Sequence, residues 1–276
     1  MLRRALLCNQ PTASRRPVCH RGPMPTIKST LPRRTRWTPT MGARSRDQQR
    51  RWREVLAVVL AVNSGATDAI GFLALGGAFT SVMTGNMVLL GIAAAGADGA
   101  LAVHTGAAIA CFILGCSLGT RIAGTPRPDD PIWPPAVTRA LAVEGVVLGA
   151  YAVGWWLSGA HPSGQLQLLL LVLNAIALGI QSSTVQRFGV AGLSTTYLTG
   201  TLTTVIARLT SGHRLRDVAQ SILTLLGLIA GAALGGLLAV RAPAWAPLVQ
   251  LASLGIVLAA AVAVIQPARD RDLRVT

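Results

Sequence analysis

Asp68 lies within the apolar stretch 55–76, and its carboxyl group is the first feature of the chain that calls for chemistry. An ionised carboxylate facing lipid at that depth costs at least a few kcal/mol, so it must face the protein interior, be paired, or carry a proton. A carboxyl that exchanges protons inside a membrane is what proton-coupled transport requires. The same group also suits a structural task, accepting hydrogen bonds from nearby Thr84 or Asn86 and fixing a break in the helix. Polar residues cluster after it at Thr84-Gly85-Asn86, and a similar group, Thr199-Gly200-Thr201, recurs 115 residues later. Asn63, Asn86, Asn174 and Gln181 add amides at membrane depth that both donate and accept. Glu144 is a second carboxylate, read as nearer the membrane interface and so as a secondary candidate.

These residues need elements that hold them at membrane depth. The chain is 51% hydrophobic and 13% charged, which excludes an ordinary soluble globule and points to a polytopic helical membrane protein. Stretches long enough to cross a bilayer, about 20 residues each, fall near 55–76, 100–122, 137–158, 166–187, 217–240 and 246–266. Two shorter segments, 80–96 and 194–209, begin with hydroxyl- and glycine-containing sequence. The expected fold is therefore all-α: a membrane bundle of six full spans with two short broken or re-entrant helices. Arginines decide the topology. Six crossings put Arg121, Arg127, Arg139, Arg187, Arg208, Arg214, Arg216 and both termini on the cytoplasmic side, leaving Arg241 outside.

Net charge is +15, and residues 1–54 hold fourteen Lys or Arg against Asp47 and Glu54. This segment lacks an apolar pattern that offsets ordering entropy, so it reads as a disordered basic tail touching anionic lipid rather than as a specific nucleic-acid binder. The domain plan is then tail 1–54, first membrane repeat 55–158, second repeat 166–266, and a short basic terminus 267–276.

The repeat rests on the 115-residue offset, which also pairs Gly77 with Gly192, Thr80 with Thr195 and Met87 with Leu202. Each half is helix, broken segment, helix, helix, with three crossings, so the halves are expected to run in opposite directions. Inverted repeats with matched interruptions are a pattern of secondary transporters. Asn86 and Thr201 each open a short helix whose first amides favour an anion or polar acceptor. Together, Asp68, Thr84, Gly85, Asn86, Gln181, Thr199, Gly200 and Thr201 are the candidate solute or proton-coupling residues, with Asn63 and Glu144 second.

The stretches "GATDAIGFLALGGAFTSVMTGNMVLLG" and "ALGIQSSTVQRFGVAGLSTTYLTGTLTTVIARL" resemble the YoaK-like family of bacterial transmembrane proteins of unknown function. The resemblance covers about residues 52–268 and implies an integral inner-membrane protein of roughly six helices, with no established activity.

Glycines at four-residue spacing, Gly227, Gly231 and Gly235 on one span and Gly115 and Gly119 on another, read as close helix contacts, compatible also with a homo-oligomer. Trp155, Trp156 and Trp245 fit interfacial anchors. Cys111 and Cys116 read as free thiols. No enzyme motif, metal cluster or cofactor site is visible. Three functions stay open: a proton-linked transporter of a small polar or anionic solute, a non-transporting scaffold or partner subunit, or a channel.

Overall fold

The first apolar stretch carries Ala, Leu and Val without an internal proline, and it forms one long helix, α1, Met41–Ala74. In the computed structural model, residues 41–127, 130, 133–187 and 198–265 are described, all within one compact unit, Pro39–Thr276. The expected disorder of residues 1–40, and Gly192, Thr195, Thr196 and Tyr197 of the second polar segment, lie outside the described residues. Residues 41–54 differ from the expected tail. The Arg- and Gln-containing sequence after Gly42 includes good helix formers, and it continues α1 beyond its apolar part. Trp52 packs on the core there, and the Gln220 amide donates to the Glu54 carbonyl.

Seven more helices follow among the described residues: α2 Met83–Ala95, α3 Gly99–Ala123, α4 Pro135–Leu157, α5 Gly164–Gln186, α6 Leu198–Thr210, α7 Leu215–Arg241 and α8 Ala246–Ala260. Among the described residues, six segments are long and apolar enough to cross a membrane: Arg50–Ala74, Gly99–Ala123, Pro135–Leu157, Gly164–Gln186, Leu215–Arg241 and Pro243–Ala263. At 13 residues each, α2 and α6 extend only about 20 Å, short of the roughly 30 Å hydrocarbon layer. All-helical architecture with six spans and two short helices is thus what the structure holds.

The surface is apolar and the interior is polar in places, as lipid solvent demands. Val103, Ile113 and Leu114 on α3, and Leu226, Ile229 and Leu237 on α7, point outward, while Asn63, Thr67, Glu144, Asn174, Gln181 and Gln250 are fully buried. The most enclosed spans are α1 and α5.

Helix pairs are joined backbone to backbone. On the α1–α7 crossing, Gly65 lies against the Leu228 carbonyl and the Ala232 amide, Gly231 against Val62 and Gly235 against Ala66. On the α3–α5 crossing, Gly179 lies against the Phe112 carbonyl and the Cys116 amide, Gly115 against Ile176 and Gly119 against Ile180. The two crossings use corresponding atoms. Gly65 and Gly179 are 114 apart, as are Val62 and Ile176; Phe112 and Leu228 are 116 apart, as are Gly115 and Gly231. Remaining contacts follow the same exchange: α2 packs on α3 and α6 on α7, α4 on α5 and α8 on α1, with α4 meeting α8.

Two connections tie the ends. Trp155 and Trp156 donate their indole N–H groups to the Pro243 and Ala244 carbonyls, at 2.9 and 2.8 Å, joining the end of α4 to the α7–α8 link. Trp155 is fully buried, so it is a tether and not the lipid-facing anchor expected; Trp156 and Trp245 remain substantially exposed, as anchoring requires. At the end of α5, Arg187 grips Asp130 with two bonds of 2.9 and 2.8 Å and also donates to the Ala123 carbonyl.

A side chain at Gly231 collides with the Val62 backbone, so Gly231→Leu is expected to lower stability by at least about 1–3 kcal/mol. Gly91→Ala, with nothing near its added carbon, is expected to stay within about 1 kcal/mol of the parent; thermal unfolding in detergent checks both. The Arg187 guanidinium, followed by the Arg127 amide and charge, holds the Asp130 carboxyl below its ordinary range. Because that value is lowered on folding, the pair stabilises above the usual carboxylate range, and its contribution disappears as pH falls through the lowered value. Asp130→Asn is therefore expected to cost about 1–3 kcal/mol at pH 7 and little in strong acid, read from unfolding midpoints across pH.

Candidate functional site

Beyond α1 the chain reverses through Gly76 and Gly77, whose φ values of 92° and 76° lie in the left-handed region that glycine favours. Residues 78–82 then fold back along α1, with Phe79 stacked on Phe72 at 4.9 Å between ring centroids. This reversal exposes backbone groups inside the protein, and Asp68 satisfies them. Its Oδ1 accepts from the Thr80 amide at 2.7 Å, the Thr80 hydroxyl at 2.9 Å and the Ser81 amide at 2.7 Å. Its Oδ2 accepts from the Ser81 hydroxyl at 2.5 Å. The partners are Thr80 and Ser81, not Thr84 or Asn86.

Asn86 performs a parallel task. Its Oδ1 accepts from the Phe79 amide at 2.9 Å and its Nδ2 donates to the Phe79 carbonyl at 2.7 Å, a two-bond clasp on the same reversal. The remaining members of the expected site are placed elsewhere. Thr84, Thr199 and Gly200 are exposed and Gly85 is half-buried. Thr201 is buried at the fourth position of α6, where Asn86 stands on α2. The starts of α2 and α6 are not a packed pair among the described residues, since α2 rests on α3 and α6 on α7.

Polar groups converge instead between α1, α4, α5 and α8. Asn63 Nδ2 donates to Gln181 Oε1 at 2.8 Å and, more loosely, to Glu144 Oε1 at 3.4 Å. Gln181 Nε2 donates to the Ser64 hydroxyl at 2.8 Å and the Leu60 carbonyl at 3.2 Å. One helical turn along α1, the Thr67 hydroxyl donates to the Asn63 carbonyl and accepts from Gln250 Nε2 at 3.0 Å. The Asn174 side chain approaches the Tyr151 hydroxyl there, and its Oδ1 lies 3.5 Å from Gln250 Nε2. All eight residues are buried, with essentially no exposed surface.

Glu144 is the tenth residue of α4, about 14 Å from its start and well inside the bundle, so the interfacial placement expected for it is corrected. Its Oε2, Asn63 Oδ1, Gln250 Oε1, the Tyr151 hydroxyl and Asn174 Nδ2 are all buried without a hydrogen-bond partner among the described residues. Asp68 is saturated and Glu144 is not.

Of the ten expected residues, this cluster contains Asn63, Gln181 and Glu144. It adds Ser64, Thr67, Tyr151, Asn174 and Gln250. A partial signal for these was in the sequence: Tyr151 follows Glu144 by seven residues, and Gln181 follows Asn174 by seven, a spacing that shares a helix face.

Removing the Asp68 carboxylate leaves two backbone amides of the reversal unpaired, each costing about 1–3 kcal/mol. Asp68→Ala is therefore expected to unfold several degrees lower and to be cut more readily by protease between residues 75 and 82. Asp68→Asn, which keeps the triply bonded oxygen, is expected to lose much less.

Three comparisons bear on identity. The family model described as a protein of unknown function, DUF1275, matches residues 56–260. The chain is 36% identical over 155 residues to the UPF0700 transmembrane protein YoaK of Bacillus subtilis strain 168, covering 56% of this chain and 66%, just under two thirds, of that relative. No solved structure matches. With its six apolar spans and its family match over most of its length, the chain is an integral membrane protein that belongs to the DUF1275 family.

Proposed function

We propose that this protein is a proton-linked secondary transporter of a small polar solute, with Glu144 in the coupling role that the sequence suggested for Asp68. The observation that carries the reading is the fully buried Glu144 Oε2, which has no hydrogen-bond partner among the described residues and lies where α1, α4, α5 and α8 meet. A carboxylate left ionised and incompletely bonded at such a position costs several kcal/mol, and binding a proton removes that cost. The corresponding α1–α7 and α3–α5 crossings support two halves related by an inverted repeat, the arrangement in which a central site is reached alternately from either face. In this reading the protein lies in a bacterial inner membrane with both termini cytoplasmic, the orientation that the arginine distribution favours. In this reading the basic tail rests on anionic lipid.

The scaffold reading draws on Asp68 and Asn86, whose side chains are spent on holding the 75–82 reversal. That observation accounts for the polar break but leaves Glu144 without a purpose.

In vesicles carrying purified protein and a trapped pH indicator, the addition of a transported solute is expected to move protons. Glu144→Gln is expected to abolish that movement, while Asp68→Asn, corrected for the amount of folded protein, retains it. If no solute in a broad panel of small polar compounds moves protons through the unmodified protein, the proposal is overturned.

A further inference from the structure

The hydrogen-bond directions in the cluster define what it lacks. Gln181 Nε2 is oriented by the Leu60 backbone carbonyl, which can only accept, so Gln181 Oε1 must face Asn63 and the Asn63 group nearest it must be the donating Nδ2. Asn63 Oδ1 is therefore a true surplus acceptor. The same logic fixes Gln250: the Thr67 hydroxyl gives its proton to the Asn63 carbonyl, leaving its oxygen to accept from Gln250 Nε2, so Gln250 Oε1 is surplus as well. With Glu144 Oε2 there are three buried surplus oxygens that can only accept and one formal negative charge, beside or within a helical turn of Asn63, while two groups able to donate, the Tyr151 hydroxyl and Asn174 Nδ2, are also unpaired in the cluster.

No positive side chain balances that charge among the described residues. Helices α5 and α8 carry no charged residue. On α4, Arg139 is exposed and begins five residues earlier; on α3, Arg121 is exposed and His104 packs at Gly76. On α1, Arg53 and Glu54 precede Asn63 by about 13 Å or more of helix, and Asp68 is committed to Thr80 and Ser81. Tyr151, the other titratable group on the α4 face, lies beside Asn174 with its hydroxyl unpaired. An anionic solute would add a second uncompensated negative charge, so of the small polar or anionic solutes expected, the anionic ones do not suit this site.

We infer that Glu144 Oε2 and Asn63 Oδ1, extended by Gln250 Oε1, form a binding site for a singly charged cation, an alkali ion or a protonated amine, taken up in exchange for the proton on Glu144. One carboxylate with neutral amide oxygens matches a single positive charge; divalent ions are held by more carboxylate or by ligands of higher field. Proton and cation compete for the same oxygens, so one proton leaves as one cation enters and total charge is conserved. This specifies the solute of the transporter reading and rests on that reading for any movement of the bound cation across the membrane.

Purified full-length protein in neutral detergent, weakly buffered, is titrated with sodium, potassium or methylammonium chloride, and with choline chloride as the ionic-strength control. One of the first three is expected to raise the unfolding midpoint above the choline control and to release about one proton per cation bound, with apparent affinity weakening roughly tenfold per pH unit in acid. An alkali response identifies an ion site, and a methylammonium response identifies an amine site. Glu144→Gln is expected to lose the proton release, and Gln250→Leu to weaken binding without abolishing it. Midpoints equal to the choline control with no proton release in the unmodified protein, or a proton release unchanged in Glu144→Gln, overturn the inference. Cation binding without movement across vesicles leaves the site and removes the transporter; transport of a neutral or anionic solute with no cation response does the reverse.

Discussion

Inside a hydrocarbon layer, water is not at hand to complete an unfinished hydrogen bond, so each polar group the chain brings there must find its partner in the protein. That requirement organises the bundle. It explains why the reversal after α1 is accompanied by Asp68 and Asn86, which between them occupy backbone groups of residues 79–81. It also separates two carboxylates that look alike in the sequence. Asp68 completes a local fold, whereas Glu144 is held among amides that leave one of its oxygens unanswered.

Packing meets the same requirement by another route. Helices that satisfy their backbone internally gain nothing from apolar association in lipid, so close approach supplies the attraction. Gly65, Gly231 and Gly235 on one crossing, and Gly179, Gly115 and Gly119 on the other, let main chain touch main chain. These crossings place α1 and α5 at the centre, where Asn63 and Gln181 reach one another across 118 residues of sequence.

The spans were legible because apolar length is a strong signal, and the structure places all six within a few residues of the expected positions. Glycine stripes were legible for a similar reason: four-residue spacing keeps small residues on one face. The site was only partly legible. Asn63, Gln181 and Glu144 stood out as polar residues at depth, but which of them meet depends on helix rotation and on which spans are neighbours, and neither is fixed by periodicity. Asp68 attracted a coupling role because its depth was visible while its partners, Thr80 and Ser81, required knowledge of the turn through Gly76 and Gly77. Gln250 was hidden as one of two polar residues, with Ser253, in an otherwise apolar helix. Residues 41–54 misled in the other direction: a charged composition reads as tail, yet Arg, Gln and Glu are good helix formers once an adjoining helix nucleates them.

The two glycine crossings have a mechanical consequence. Main chain pressed against main chain has no layer of rotatable side chains to absorb sliding, so α1 with α7, and α3 with α5, behave as two stiff bars. Softer material lies where α4 and α8 meet, with Gly145 resting against the flexible ends of Leu254 and Leu258. This compliant seam runs beside Glu144 on α4, and the indole tethers at Pro243 and Ala244 sit at one of its ends like a clasp.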